Sequence, residues 1–345
     1  MNKLFITHED LKTFVEALKK TCDEFIGPSR QHLNDIAFGD VKNDGEILLN
    51  YDGNTILSPR TFLLPQTETL FEIKGSIGGK VSSIEDKKSR IFYGVRPCDT
   101  LALSLMRRFF LEGIVDRPYQ DKMENATFIT LACAKPCSER SFCREIGSGP
   151  VAKKGFDIQL VAINRGYLVE SGSKKGGAIL RKYKKLFIVS TPSDIKESKR
   201  ILKDFAKEAK PINYKRLAGI MRDDLVKESV WDDIGLRCVI CSGCITVCPT
   251  CSCFSVTDRM NGTSGVRVRY CDGCPYAGFT RMAGGAMPKP DHKDHIRRFF
   301  EHKLNVDVER YGVPSCVGCG RCIETCPGNI SIRKFIDDAM ASVKK

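Results

Sequence analysis

The sequence predicts an α+β chain in two parts, an α/β-like N-terminal domain at residues 1–228 and a cysteine-rich domain at residues 229–345. Three observations carry this. A compact apolar run from Arg90 to Val95 is broken at Arg96-Pro97-Cys98-Asp99, then helical periodicity from Leu101 to Leu111 leads to a second apolar run, Ala126 to Leu131. That is the pattern of a strand–helix–strand unit. The last third holds Cys238, Cys241, Cys244 and Cys248 before Pro249, and Cys316, Cys319, Cys322 and Cys326 before Pro327. Between these regions, Tyr214 to Val230 reads as a helix leading to Trp231 and the first cysteine loop, which sets the boundary near 229.

Composition narrows the class. A chain of 345 residues, 42% hydrophobic and 28% charged, has the makeup of an ordinary globular protein with room for two cores. No apolar run approaches the ~18 residues that cross a bilayer, and acidic residues follow Met1 too soon for a secretion signal. Seventeen cysteines without such a signal point to metal chemistry in a reducing compartment, hence a cytoplasmic location. The net charge of +13 is scattered without interleaved aromatics, so no nucleic-acid partner is expected.

From the N-terminus, Leu11, Phe14, Val15, Leu18, Cys22 and Phe25 give an amphipathic helix over residues 8–25, stopped by Gly27-Pro28. Residues 35–73 read as short strands and turns. Gly75, Gly78, Gly79 and Lys80 lack the spacing of a phosphate loop and read as a turn. In the strand–helix–strand unit a crossover makes both strands parallel, so Cys98 and Cys133 emerge at one carboxyl edge, where open α/β sheets place ligands. Cys137 and Cys143 follow closely, and Cys98, Cys133, Cys137 and Cys143 could hold a metal cluster, buried thiols being the alternative. Arg96 and Asp99 flank that site, either tuning it or forming a turn with a surface salt bridge. Further on, Ile158–Ile163 and 186–190 read as strands, and 193–210 as a helix capped by Ser193.

The two C-terminal runs share the pattern C-x2-C-x2-C-x3-C-P, by which bacterial-type ferredoxins hold [4Fe-4S] clusters. Two-residue gaps let three thiolates converge on one cube, and the fourth cysteine reaches the other cluster. The expected ligand sets are therefore Cys238, Cys241, Cys244 with Cys326, and Cys316, Cys319, Cys322 with Cys248. Gly243, Gly318 and Gly320 permit tight turns in the loops. Zinc prefers two separated C-x2-C pairs, which these crowded runs do not resemble. The long insert at 249–315 carries Cys251, Cys253, Cys271 and Cys274, which either make a further metal site or pack beside the clusters. His292, His295 and His302 lie in a charged helical pattern and read as a solvent-facing set.

Taken in order, Gly94-Val95-Arg96-Pro97-Cys98-Asp99, Cys143 with Gly147-Ser148-Gly149-Pro150, Cys248-Pro249-Thr250-Cys251, Cys253-Phe254, Asp272, Cys274 and the closing run resemble one family. It is the iron-sulfur β subunit of cytosolic NiFe hydrogenases of the sulfhydrogenase type, which also includes the A subunit of anaerobic sulfite reductase. The resemblance covers about residues 57–335. It implies an α-helical ferredoxin-like dicluster domain and a non-catalytic electron relay. Its partners would be a flavoprotein subunit, which carries the flavin and handles a nicotinamide cofactor, and a catalytic hydrogenase or sulfite reductase subunit. Two departures stand out: relatives carry Cys-Phe-Cys where this chain has Ser141-Phe142-Cys143, leaving Cys137 as the fourth ligand, and Trp in place of Cys271. The rivals are a self-sufficient iron-sulfur flavoenzyme, opposed by the lack of G-x-G-x-x-G after a strand, and a zinc or nucleic-acid module.

Overall fold

The computed structural model describes residues 3–31, 35–42, 46–75, 79–207, 209–288 and 290–343; Gly78 lies outside them. In chain order its strands are β1 (Leu4–Thr7), β2 (Glu24–Arg30), β3 (Ile36–Asp40), β4 (Thr67–Lys74), β5 (Lys80–Ser83) and β6 (Arg90–Val95). They continue as β7 (Ala126–Leu131), β8 (Ile158–Ile163), β9 (Gly166–Ser171), β10 (Ile188–Val189), β11 (Phe254–Asn261) and β12 (Ser264–Cys271). Two compact units result: Met1–Leu63 with Asp86–Pro211 and Val317–Cys319, and Leu64–Glu85 with Ile212–Cys316 and Gly320–Lys345. The division expected near 229 falls inside the second of these.

In the first unit an eight-stranded sheet runs β10-β1-β9-β8-β7-β6-β2-β3. Strands β2, β6, β7 and β8 are mutually parallel, with Arg90 opposite Ala126 and Ile129 opposite Ile158. Every residue of β6 and β7 is buried, as central parallel strands require when both faces are covered. The helix His8–Lys19 follows β1, with Thr7 accepting from the Asp10 N–H at 3.0 Å and Glu9 and Asp10 in the first turn. Both features stabilise a helix N-terminus. Leu11, Phe14, Val15 and Leu18 face the sheet.

The expected helix over 8–25 is therefore too long. It ends at Lys19, and Phe25, Gly27 and Pro28 lie in β2. A Cβ on Gly27 would come within 2.7 Å of Ile47, so glycine there serves packing. Pro28 lies beyond the three residues through which β2 meets β6, where its missing N–H costs no ladder bond. The helix expected at 193–210 spans Pro192–Ala206, and its cap is Thr191, reciprocally bonded with Asp194.

In the second unit the helices Tyr214–Arg222, Glu228–Arg237, His292–Glu301 and Ile332–Ser342 bring Trp231, Phe300 and Phe335 together. The Trp231–Phe335 and Phe300–Phe335 ring centroids are 4.8 and 4.5 Å apart. The single helix expected over 214–230 is two, separated at Asp223–Lys227. The insert contributes the hairpin β11–β12, which adds to β4 and β5 as a four-stranded antiparallel sheet, β11-β12-β4-β5. The architecture is α+β. Among the described residues no helix is long and apolar enough to cross a membrane.

Candidate metal centres

The first cysteine run begins where a helix stops. Cys238 caps Glu228–Arg237, its N–H bonding the Ile234 carbonyl at 3.0 Å. Ile240 (φ 52°) and Ser242 (φ 58°) then adopt left-handed backbone, a conformation that disfavours side chains other than glycine. These two reversals fold Cys238, Cys241 and Cys244 around one cavity, which Cys322 and Cys326 also line. Gly243 does not supply the turn; a Cβ there would stand 3.3 Å from Thr325, so it serves close approach. The rest of the lining is largely apolar, including Ile296, Phe299, Phe300, Ile330 and Ile332.

The electrostatics of these thiols suit a cationic inorganic core. Burial pushes the Cys244 thiol up to about 12, with repulsion from Cys274, Cys248, Cys238 and Cys241 added. Burial also raises Cys238, beside Cys326 and Cys241. A bound metal reverses such a shift, because coordination favours the thiolate. The Ile330 N–H reaches Cys326 Sγ at 3.4 Å, a donor aimed at a ligand sulfur.

Cys248, the fourth cysteine of the first run, does not line that cavity. It is buried, with Sγ 3.2 Å from Thr250 Oγ1. A second cavity is lined by Cys251, Cys253 and Cys274 with Thr250, Lys303 and His302. Cys271 lies apart, donating to the Pro65 carbonyl at 3.5 Å. The three histidines do not form a solvent-facing set. His292 is exposed, His295 is buried at 4% exposure, and His302 pairs with Asp307 at 3.5 Å, because the helix turns an apolar stripe inward and carries His295 with it.

The first unit gathers its own thiols. At the end of β6 the register with β7 slips between Tyr93 and Val95, at Gly94 with φ 76°. Such a bulge re-aims the chain. Pro97 then opens the helix Pro97–Leu111 with Cys98 in its first turn, while Cys133 follows β7 directly. Cys98, Cys133 and Cys137 surround the Arg96 guanidinium, whose plane lies 3.8 Å over the Tyr51 ring. Burial opposes the charge, but Tyr51 and these thiols hold Arg96 firmly protonated. Arg96 and Asp99 are 4% and 0% exposed, so no surface salt bridge exists there. The Arg96 Nε is buried without a hydrogen-bond partner, an orphaned donor among sulfurs. That arrangement fits an anionic thiolate cluster and would be costly without one.

Cys143 joins the group: burial pushes its thiol up to about 12, with Cys137 and Cys319 contributing. Cys319 acts on Cys143 because the segment Val317–Cys319 is held by this unit. Phe142 N–H bonds the Gly318 carbonyl at 2.8 Å, Ser148 Oγ bonds that of Val317 at 2.5 Å, and Asn54 Nδ2 that of Cys319 at 2.7 Å. A Cβ on Gly318 would meet the Cys143 nitrogen at 2.7 Å. Among the described residues no three His, Cys, Asp or Glu side chains converge on a single-ion site. The thiols ring spaces rather than a point.

The 4Fe-4S dicluster domain family matches residues 237–330. Over 314 residues the chain is 31% identical to the β subunit of sulfhydrogenase 2 from Pyrococcus furiosus, covering 90% of this chain and 91% of that protein.

Proposed function

The chain belongs to the iron-sulfur β-subunit family of sulfhydrogenases, and on that premise we propose that it relays single electrons between a flavin- and nicotinamide-handling subunit and a catalytic subunit of the hydrogenase or sulfur-reductase type. It is an iron-sulfur electron-transfer subunit of a multisubunit complex. The finer assignments are ours. Cys238, Cys241, Cys244 and Cys326 hold one cube; Cys316, Cys319, Cys322 and Cys248 hold the second; Cys98, Cys133, Cys137 and Cys143 hold a third. The flavin resides on a partner.

When bound, each [4Fe-4S] cluster takes up and returns one electron. The protein's part is to keep that exchange outer-sphere. Thiolates would hold every iron, apolar side chains such as Phe299 and Ile332 wall the first cavity against water, and the Ile330 N–H aimed at Cys326 Sγ would favour the reduced, more negative state. The observation that carries this reading is the lining of one cavity by Cys238, Cys241, Cys244 and Cys326 together, with Cys322 also on its wall.

Purification without oxygen, followed by iron and acid-labile sulfide analysis, tests it. About twelve irons per chain with matching sulfide are expected for three clusters, and about eight would remove the third. Stoichiometric flavin on this chain alone would overturn the relay assignment, and an iron-free chain would overturn the whole.

A further inference from the structure

The helix His292–Glu301 does not end at Glu301. It passes through one π-helical turn, His302–Val306, into a last turn, Asp307–Tyr311. A π turn shifts the side chains that follow it and frees carbonyls, and such turns recur at functional sites. Here the Lys303 carbonyl accepts from the Ser315 N–H at 3.1 Å, which fixes the residue preceding Cys316.

The Lys303 side chain points inward and is 5% exposed. Its Nζ donates to Thr250 Oγ1 at 3.0 Å, and Thr250 Oγ1 stands 3.2 Å from Cys248 Sγ. An ammonium has no lone pair, so Thr250 must accept from Lys303 and is left with its own proton to give to sulfur. With Cys248 a thiolate, only that direction is open. Asp307, buried at the start of the following turn, pairs with His302 and also attracts Lys303. Cys248, which the ammonium also reaches directly, Cys251, Cys316 and Asp307 are the anions or potential anions around Nζ. A buried ammonium is costly without an anion, and the thiolates of a cluster would provide one.

We propose that Lys303, acting through the Thr250 hydroxyl on Cys248 Sγ, is a positioning residue that raises the reduction potential of the one cluster Cys248 ligates. Reduction adds a negative charge to that cluster, and a fixed buried cation beside a ligand sulfur favours it. The relay ends on Cys248, so the effect is expected at the cluster that Cys248 ligates. The inference rests on the assignment of Cys248 as a cluster ligand.

The test is an EPR-monitored redox titration of the anaerobically purified complex carrying Lys303→Met, Lys303→Arg or Thr250→Val, with iron counted in each. At the wild-type midpoint, Lys303→Met is expected to lower the reduced-to-oxidised ratio of one cluster about tenfold, 59 mV for one electron, with the other midpoints unmoved. Lys303→Arg should restore most of the ratio. Thr250→Val, which keeps the charge and breaks the relay, should give a smaller fall at the same cluster. Full iron content with no midpoint moved in either Lys303→Met or Thr250→Val overturns the proposal, as does an equal shift of every cluster. Should Lys303→Met fail to assemble, Thr250→Val alone decides. Wild-type complex without these cluster signals would defeat the electron-relay reading instead, a separate outcome.

Discussion

The two cysteine runs have one spacing and two sets of surroundings. At the second position after the first cysteine, and again at the fourth, both runs turn left-handed. In the second run those residues are Gly318 (φ 65°) and Gly320 (φ 85°), in the first Ile240 and Ser242 (φ 52° and 58°). The loop conformation thus goes with the shared cysteine spacing rather than with glycine. Glycine only makes it cheaper: a side chain forced left-handed costs about 1–2 kcal/mol, and Ile240 and Ser242 carry that cost. The environments differ as much. The first run encloses an apolar space walled by Phe299, Phe300 and Ile332, whereas the second begins after Ser315, tied to the backbone of a buried lysine. Identical ligand spacing therefore leaves strain and electrostatics to be set by neighbours.

Exchanging the distinguishing residues should break this comparison unequally. Gly318→Ala is expected to be the most damaging, by roughly 3 kcal/mol or more, since it adds a left-handed penalty to a backbone clash with Cys143 at 2.7 Å. Chemical denaturation and iron content would both fall, and a variant as stable as wild type would show that the approach of the two segments is not needed. Next, Arg96→Met removes the cation among Cys98, Cys133 and Cys137. Iron should drop from about twelve toward eight per chain while the two ferredoxin-type signals persist. Unchanged iron would separate Arg96 from the third site. The smallest effect, in the opposite direction, is expected for Ile240→Gly, a gain of at most about 1 kcal/mol, as relief of strain outweighs the entropy of an added glycine. Loss of stability there would mean that Ile240, 36% exposed, contributes more by packing than it costs in backbone.

How much could be read in advance follows the same division. Local spacing marked the two four-cysteine runs, which lie within the residues that the dicluster family matches, and the strand–helix–strand pattern anticipated the parallel pairing of β6 and β7. What stayed hidden depends on long-range packing. Nothing near Val317 announces that three residues of the closing run are bonded to Asn54, Phe142 and Ser148. Nor does the β4–β5 pair show its alliance with a hairpin almost two hundred residues later. One signal was present and could have been used. Ile296, Phe299, Phe300, Lys303, Leu304 and Val308 lie on one helical stripe, and a lysine at a core position of an apolar face calls for a buried anion. His295 lies on the same inward face, which is why a charged pattern alone misplaced it.

The central claim is that the runs are ligated crosswise, Cys326 completing the cube of Cys238, Cys241 and Cys244. Serine variants of Cys326, Cys241 and Cys319, examined by low-temperature EPR of the reduced complex, test it most directly. The account predicts that Cys326→Ser and Cys241→Ser perturb the same cluster signal and Cys319→Ser a different one. If Cys326→Ser instead perturbs the signal altered by Cys319→Ser, each run holds its own cube and the crosswise arrangement is wrong.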